Sequence, residues 1–261
     1  MSRGWFTCAG DAAGIRSQPS RLLWVDDFVV QRHSVSHGDF IVFLEDLVAQ
    51  GREEEALEHV PRQVAGSFGG RGPMIYGRTP DNGFCLVPDN DGDLWGEGWP
   101  VMMIRASGAE AYARWFAERT GRPWRLLSEW EYEKAARGVD GRFFPWGDII
   151  DPSWCAHRES FETLAPLPVT KELFEGDVSP YGVRSMAGGM RCFTGSVYTV
   201  AIAGSDGDRM LVPGPLPEGA SRTVRGGAFN LASQFCRVAF RNGSEPGDRF
   251  EYTGFRLAFS I

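Results

Sequence analysis

The sequence predicts an α+β domain, and three observations carry that expectation. Glycine (33 residues) and proline (16) are abundant in a chain of 261 residues, which favours many turns over a helical bundle. Helical spacing of apolar residues occurs in only a few stretches, all before residue 150. Beyond that point come loops and short alternating runs such as Phe255, Leu257 and Phe259, which suit half-buried strands. The length accommodates one large core, so residues 1–261 are read as a single domain.

Residues 1–20 are rich in glycine and serine and are expected to be irregular. The run RLLWVDDFVVQR (21–32) reads as one strand, with Leu23, Val25, Phe28 and Val30 as its apolar positions. Ser36 is placed to cap a helix in which Phe40, Phe43, Leu44, Leu47 and Val48 share a face and Gly51 ends the run. A short acidic helical turn follows and stops at Pro61. Residues 64–100 are rich in turn formers, and Asp89, Asp91 and Asp93 have the spacing of a calcium loop. Leu94 and Pro100 occupy the positions where such a loop needs Gly and Glu, so a turn is expected instead. Residues 100–104 read as a strand, Ser107 as the cap of a second helix, and Ser128 with Glu131 as the capping box of a third. FFPWG (143–147) reads as a turn.

A net charge of −7 argues against general affinity for nucleic acid, and no apolar run is long enough for a membrane helix. The first residues lack a basic-then-apolar signal, so a cytoplasmic location is expected. Five cysteines without CxxC spacing predict free thiols rather than a zinc site or a disulfide framework.

Candidate chemistry is sparse. Glu129 and Glu133 share a helix face at i, i+4, a spacing expected of a solvated or capping face. Arg125, Arg137, Arg225, Arg237, Arg241 and Arg256 are expected to be ion-paired structural residues. Of the four histidines (33, 37, 59 and 157), His33 and His37 flank a helix start without a third ligand in motif spacing. No nucleophile elbow is present.

Three ordered blocks carry a resemblance: RLLSEWEYEKAARG with FFPWGD (125–148), SPYGVRSMAGG (179–189), and VRGGAF, CRVAFRN and GFRLA between 224 and 258. Together they resemble the formylglycine-generating-enzyme (sulfatase-modifying factor) family. The segment HSVSHGDFIVFL (33–44) extends the likeness over nearly the whole chain. The resemblance implies a C-type-lectin-like core with long loops. It is especially similar to members that accompany bacterial serine/threonine kinases, which raises such a kinase, attached in the same chain, as a partner.

The departures from the family pattern shape the functional expectation. Its cysteine oxidisers bind copper with a cysteine pair after the RGGSW block, whereas only Cys236 follows here, placed on an arginine-flanked strand. Its sulfoxide-forming branch holds iron with three histidines, partly from a helical domain that has no counterpart here. A structural calcium around MAGNVWEW is expected to be lost, because Gly189, Cys192 and Phe193 replace the Asn, the Glu and the second Trp. No cofactor is therefore expected, with calcium near Asp151 left open.

The residues between the arginines and glycines of 224–261 mix aromatic and short polar side chains, as recognition loops do. They are Phe229, Asn230, Leu231, Ser233, Gln234, Phe235, Asn242, Ser244, Asp248, Phe250, Glu251 and Tyr252. Variable proteins of diversity-generating retroelements resemble this arrangement. The leading expectation is a non-catalytic protein that binds a protein or other macromolecular ligand through this segment. The alternatives are a copper- or iron-dependent oxidase using His33, His37 and Cys236, or a regulatory module of a kinase.

Overall fold

The computed structural model describes residues 1–65, 70–163, 174–200 and 204–261. Strands β1 (Gly4–Cys8), β2 (Arg21–Val25) and β3 (Phe28–Val30) precede helices α1 (His37–Ala49) and α2 (Glu53–His59). Two hairpins follow, β4 (Arg62–Ala65) with β5 (Gly70–Met74) and β6 (Tyr76–Arg78) with β7 (Phe84–Leu86). Next come α3 (Ala106–Thr120), β8 (Arg125–Leu126) and α4 (Glu129–Arg137). The remaining strands are β9 (Arg191–Val197), β10 (Ser205–Asp206), β11 (Arg209–Met210), β12 (Arg222–Arg225), β13 (Arg241–Ser244), β14 (Thr253–Gly254) and β15 (Leu257–Ser260).

These strands form a sheet ordered β13-β12-β9-β14, a second ordered β1-β2-β11-β10, and a third ordered β3-β15-β8. Most pairings are antiparallel, as the α+β expectation requires, while β14 joins β9 and β11 joins β2 in parallel. The apolar faces of α1 and α3 meet the end of the chain in one aromatic cluster. Phe40 stacks on Tyr112 at 5.8 Å, and Phe255 meets the Tyr112 ring edge-on at 5.4 Å.

Local signals are realised where the stabilising partner is close in sequence. Ser36 and Ser128 both form capping boxes, with Asp39 and Glu131 respectively. Asp89 closes its turn by accepting the backbone N–H of Asp91 and of Asp93, each at 3.0 Å.

Four expectations are corrected. Residues 4–8 form β1, because β2 pairs with it and the Lys134 ammonium of α4 donates to Ser2 O and Gly4 O. The run 21–32 is two strands, divided at Asp26–Asp27. Residues 101–104 form no strand; Val101 and Met103 are buried and bond to three separate segments, at Val35, Arg62 and Phe250. Helix α3 starts at Ala106 with Arg105 as its N-cap, two residues ahead of Ser107 and without a side-chain cap hydrogen bond.

The largest correction concerns α4. Glu129 and Glu133 are fully buried, not solvated. Arg241 grips Glu129 through Nε (2.5 Å) and Nη2 (2.9 Å), Arg225 binds Glu133 and approaches Glu129, and Arg137 lies 3.2 Å from Glu133. The Ala9 N–H also donates to Glu133 at 2.5 Å. The arginine expectation holds at Arg125, paired with Glu131, and at Arg237, paired with Asp11. Arg256 is satisfied instead by the carbonyls of Gln31, Arg32, Arg184 and Ser185.

Removing one partner of a buried pair strands the other charge, which costs about 3–5 kcal/mol. Glu129→Ala is therefore expected to lower the urea midpoint by that equivalent, whereas Glu55→Ala, in an exposed pair with Arg52, changes stability by less than about 1 kcal/mol.

Candidate active site

The C-terminal stretch is built outward from the buried ion pairs. β12 ends at Arg225, and the chain then turns through Gly226 at φ +83°. A side chain on Gly226 would meet the Tyr132 hydroxyl at 2.5 Å, and one on Gly227 would meet Cys236 Sγ at 2.7 Å. Glycine at both positions is a steric requirement, both for the left-handed turn and for seating the thiol. Cys236 ends a 3-10 turn, Ser233–Cys236, rather than lying on a strand.

Burial around that thiol is complete. Cys236 and Cys155 are both 0% exposed and pack in one small buried cluster. The contact with Cys236, together with burial, pushes the Cys155 thiol far up, so it is protonated at neutral pH. Phe144 and Ala187 complete the surroundings, with Phe143, Trp146 and Ile150 packed outside. Segments 155–160 and 231–236 are tied together. The Arg158 N–H donates to Leu231 O at 2.9 Å, and Glu159 Oε2 accepts the Ser233 N–H at 2.9 Å and lies 2.7 Å from His157 Nδ1.

The MAGG block roofs this pair. The Asp177 carboxylate accepts the backbone N–H groups of Met186 (3.0 Å), Ala187 and Gly188 (2.9 Å), and the Gly189 N–H bonds Ala156 O at 2.8 Å. Burial pushes Asp177 up to about 6, against the pull of those N–H groups. Cys192 and Phe193, the replacements in this block, are buried on β9.

The predicted recognition residues divide into core and rim. Phe229 (3% exposed) belongs to the main core and Ser244 (2%) is buried on β13, so both leave the proposed surface. Phe229 is buried because β12 and the glycine turn carry it beneath the Gly189 backbone, to which its N–H donates. Asn230 and Glu251 meet through a 2.9 Å hydrogen bond. Asp248 closes a turn onto the Glu245 N–H at 2.7 Å, and Asn242 is bonded by the Arg16 side chain. Leu231 and Ser233 are half-buried and Gln234 is exposed. Phe250 stacks on Tyr252 at 5.2 Å, and Phe235 meets Phe240 edge-on at 5.2 Å.

Two residues at this site were missed from sequence. Cys155 lies far from Cys236 along the chain, and nothing in its local pattern distinguishes it. Arg191, at the start of β9, holds its guanidinium 5.3 Å from the Phe235 ring, 4.8 Å from Phe240 and 5.3 Å from Tyr252. An arginine two residues after the MAGG block was the available signal.

The histidines do not assemble a metal centre. His37 is fully buried with Nδ1 2.7 Å from the Tyr76 hydroxyl and its ring against Trp95, and burial pushes it down to about 3. Among the described residues no three His, Cys, Asp or Glu side chains converge as a ligand set. A cleft of about 520 Å³ opens elsewhere, between α3 and a proline-rich stretch, with Glu110, Arg114, Trp124, Arg222 and Pro215 on its walls. Neither the thiol pair nor Arg191 lines it.

A glycine turn beneath a buried thiol, on a sheet pinned by buried arginines, defines an α+β domain of the C-type-lectin-like, formylglycine-generating type. The chain belongs to the sulfatase-modifying factor enzyme 1-like domain family, whose pattern it matches over residues 2–261. It is 26% identical over 283 residues to the formylglycine-generating enzyme of Mus musculus, covering 98% of this chain and 73% of that protein. It is 29% identical over 254 residues to the hercynine oxygenase of Mycolicibacterium smegmatis, covering 94% of this chain and 55% of that one. Among solved structures, PvdO from Pseudomonas aeruginosa superposes with a TM-score of 0.67 at 20% identity, covering 100% of this chain and 93% of that chain. Treponema denticola variable protein 1 gives a TM-score of 0.69 at 14% identity, covering 100% and 94%. Relatives matched along nearly the whole chain are named as enzymes, which overturns the expectation of a non-catalytic protein. The likeness to the variable protein concerns the scaffold alone. Among the described residues no helix is long and apolar enough to cross a membrane.

The division into core and rim is measurable. Phe229→Ala is expected to cost about 3–5 kcal/mol in chemical denaturation, as a cavity-forming core change does. Gln234→Ala is expected to stay within about 0.5 kcal/mol of the parent.

Proposed function

We propose that this chain is an oxidising enzyme of the formylglycine-generating kind, with Cys155 and Cys236 as its reacting thiol pair. The observation that carries this reading is the packing of two fully buried thiols, brought from distant segments, in one small cluster. From sequence, Cys236 stands alone after the glycine turn, and one thiol makes no pair. Cys155 provides the second from outside that block.

The donor set fits a cuprous ion better than the other family metals. Two thiolates among aromatic and aliphatic neighbours are soft ligands that suit Cu(I), whereas calcium needs oxygen ligands and non-haem iron needs imidazole and carboxylate. Bound there, a cuprous ion would supply one-electron chemistry with dioxygen. The chain's own residues do the rest. Gly227 leaves room for Cys236 Sγ, and Asp177 holds Ala187 against the pair. The rim of Asn230, Phe235, Phe250, Glu251 and Tyr252, read from sequence as a recognition surface, becomes the side that meets substrate.

The test is an anaerobic Cu(I) titration of reduced protein against a chromophoric chelator, read without any turnover. One tight equivalent per chain is expected. Cys155→Ser and Cys236→Ser should each weaken it by more than the roughly 10–100-fold typical of losing an outer-shell partner. Because Cys155 is held protonated, loading releases protons and apparent affinity should rise as the pH is raised from 6 to 8. Equal copper retention by the double serine variant would sink the proposal.

A further inference from the structure

The buried arginines of this protein are satisfied in two ways, and Arg191 in neither. Arg225 and Arg241 hold carboxylates, and Arg256 donates to four carbonyls. Arg222 is bonded to Thr194 O at 2.6 Å and to Glu110. Arg191 is 6% exposed, its Nε has no hydrogen-bond partner, and no carboxylate pairs with it among the described residues. What surrounds it is three aromatic rings. Ring faces offset the lost hydration of a cation only in part and leave its N–H donors unused. Burial accordingly pushes Arg191 below the usual guanidinium range. A cation in this state is prepared for an anion that arrives from outside.

We propose that Arg191 anchors a carboxylate-binding site, in which a ligand's carboxylate pairs with the guanidinium while its apolar or aromatic body lies on Phe235, Phe250 and Tyr252. Three features select the class. A planar guanidinium fork matches the two oxygens of a carboxylate. The rim carries negative charge: Asp248, Glu251 and, beside Glu251, Asp89 and Asp91, which together repel a phosphate dianion more than a monoanion. The half-buried rings, with Phe250 stacked on Tyr252 at 15°, offer a flat apolar wall next to the charge. Glu251 itself is occupied by Asn230, and Arg16 adds a second positive charge nearby. The guanidinium faces the ring of Phe235, the residue directly before Cys236, so an anchored ligand would lie near the segment that carries that thiol.

The test uses the full chain, reduced and metal-free, titrated with benzoate, benzamide and inorganic phosphate by calorimetry and by chemical-shift perturbation. Benzoate is expected to bind at least about tenfold more tightly than its neutral isostere benzamide, the margin of a charge-assisted hydrogen bond. Arg191→Gln should lose that preference and Arg191→Lys should keep part of it, with circular dichroism confirming that both variants are folded. Equal binding of benzoate and benzamide, or no benzoate binding, would overturn the proposal using the parent protein alone. Tighter binding of phosphate than of benzoate would overturn the carboxylate assignment. No metal is added, so failure here leaves the copper reading standing, and failure to take up copper leaves this one standing.

Discussion

Everything in this fold leans on two carboxylates that have no water. Glu129 and Glu133 project from α4 into the interior, where an isolated charge would be untenable. They are tolerated because guanidinium groups from β12, β13 and α4 itself surround them with charge-assisted hydrogen bonds. Such a network adds little net stability over an apolar core of equal volume, but its geometry allows few alternatives. Arg137 extends it to the N-terminal strand by bonding Ala9 O at 2.8 Å, and Glu133 answers through the Ala9 N–H. One helix thereby sets the positions of the first strand and of the two strands that precede and follow the thiol turn.

The buried thiol pair inherits its position from that network. Arg225 ends β12 at Glu133, so the next two residues must turn where Tyr132 of the same helix leaves space only for glycine. Gly227 then lies beneath Cys236, and Arg225 Nη2 also bonds Val238 O, two residues past the thiol. Both sides of Cys236 are held by one arginine. From the opposite direction, Asp177 and the Gly189–Ala156 bond bring the Cys155 segment under the same roof. The thiols meet because two independent frames converge, which accounts for the absence of any local spacing between them.

The legibility of each feature follows from the range of the interaction behind it. The caps at Ser36 and Ser128 are complete within four residues, and both are readable from sequence. The arginine frame is readable as a frame, but the burial of its carboxylates is not. The i, i+4 spacing of Glu129 and Glu133 is the same on a solvated helix, and only the strands packed on it distinguish the cases. Phe229 and Ser244 look like their exposed neighbours in composition, and tertiary packing alone moves them inside. β1 is hidden for a related reason: its partners, β2 and Lys134, lie outside the glycine-rich stretch that contains it.

The rim residues read from sequence as a recognition surface and the buried thiol of Cys236 lie on the same C-terminal stretch. Of the residues that remain on the rim after Phe229 and Ser244 are removed, Phe235 and Tyr252 face the Arg191 guanidinium, and Phe235 directly precedes Cys236. A rim without the thiol pair would be a binding surface, and a buried thiol pair without the rim would be inert core. The sheet joins them because β9, which carries Arg191 at its start, is the direct neighbour of β12, which leads into the thiol turn. Under the proposed oxidising function, substrate choice could change at the rim positions while the frame arginines, glycines and thiols stay where the buried carboxylates put them.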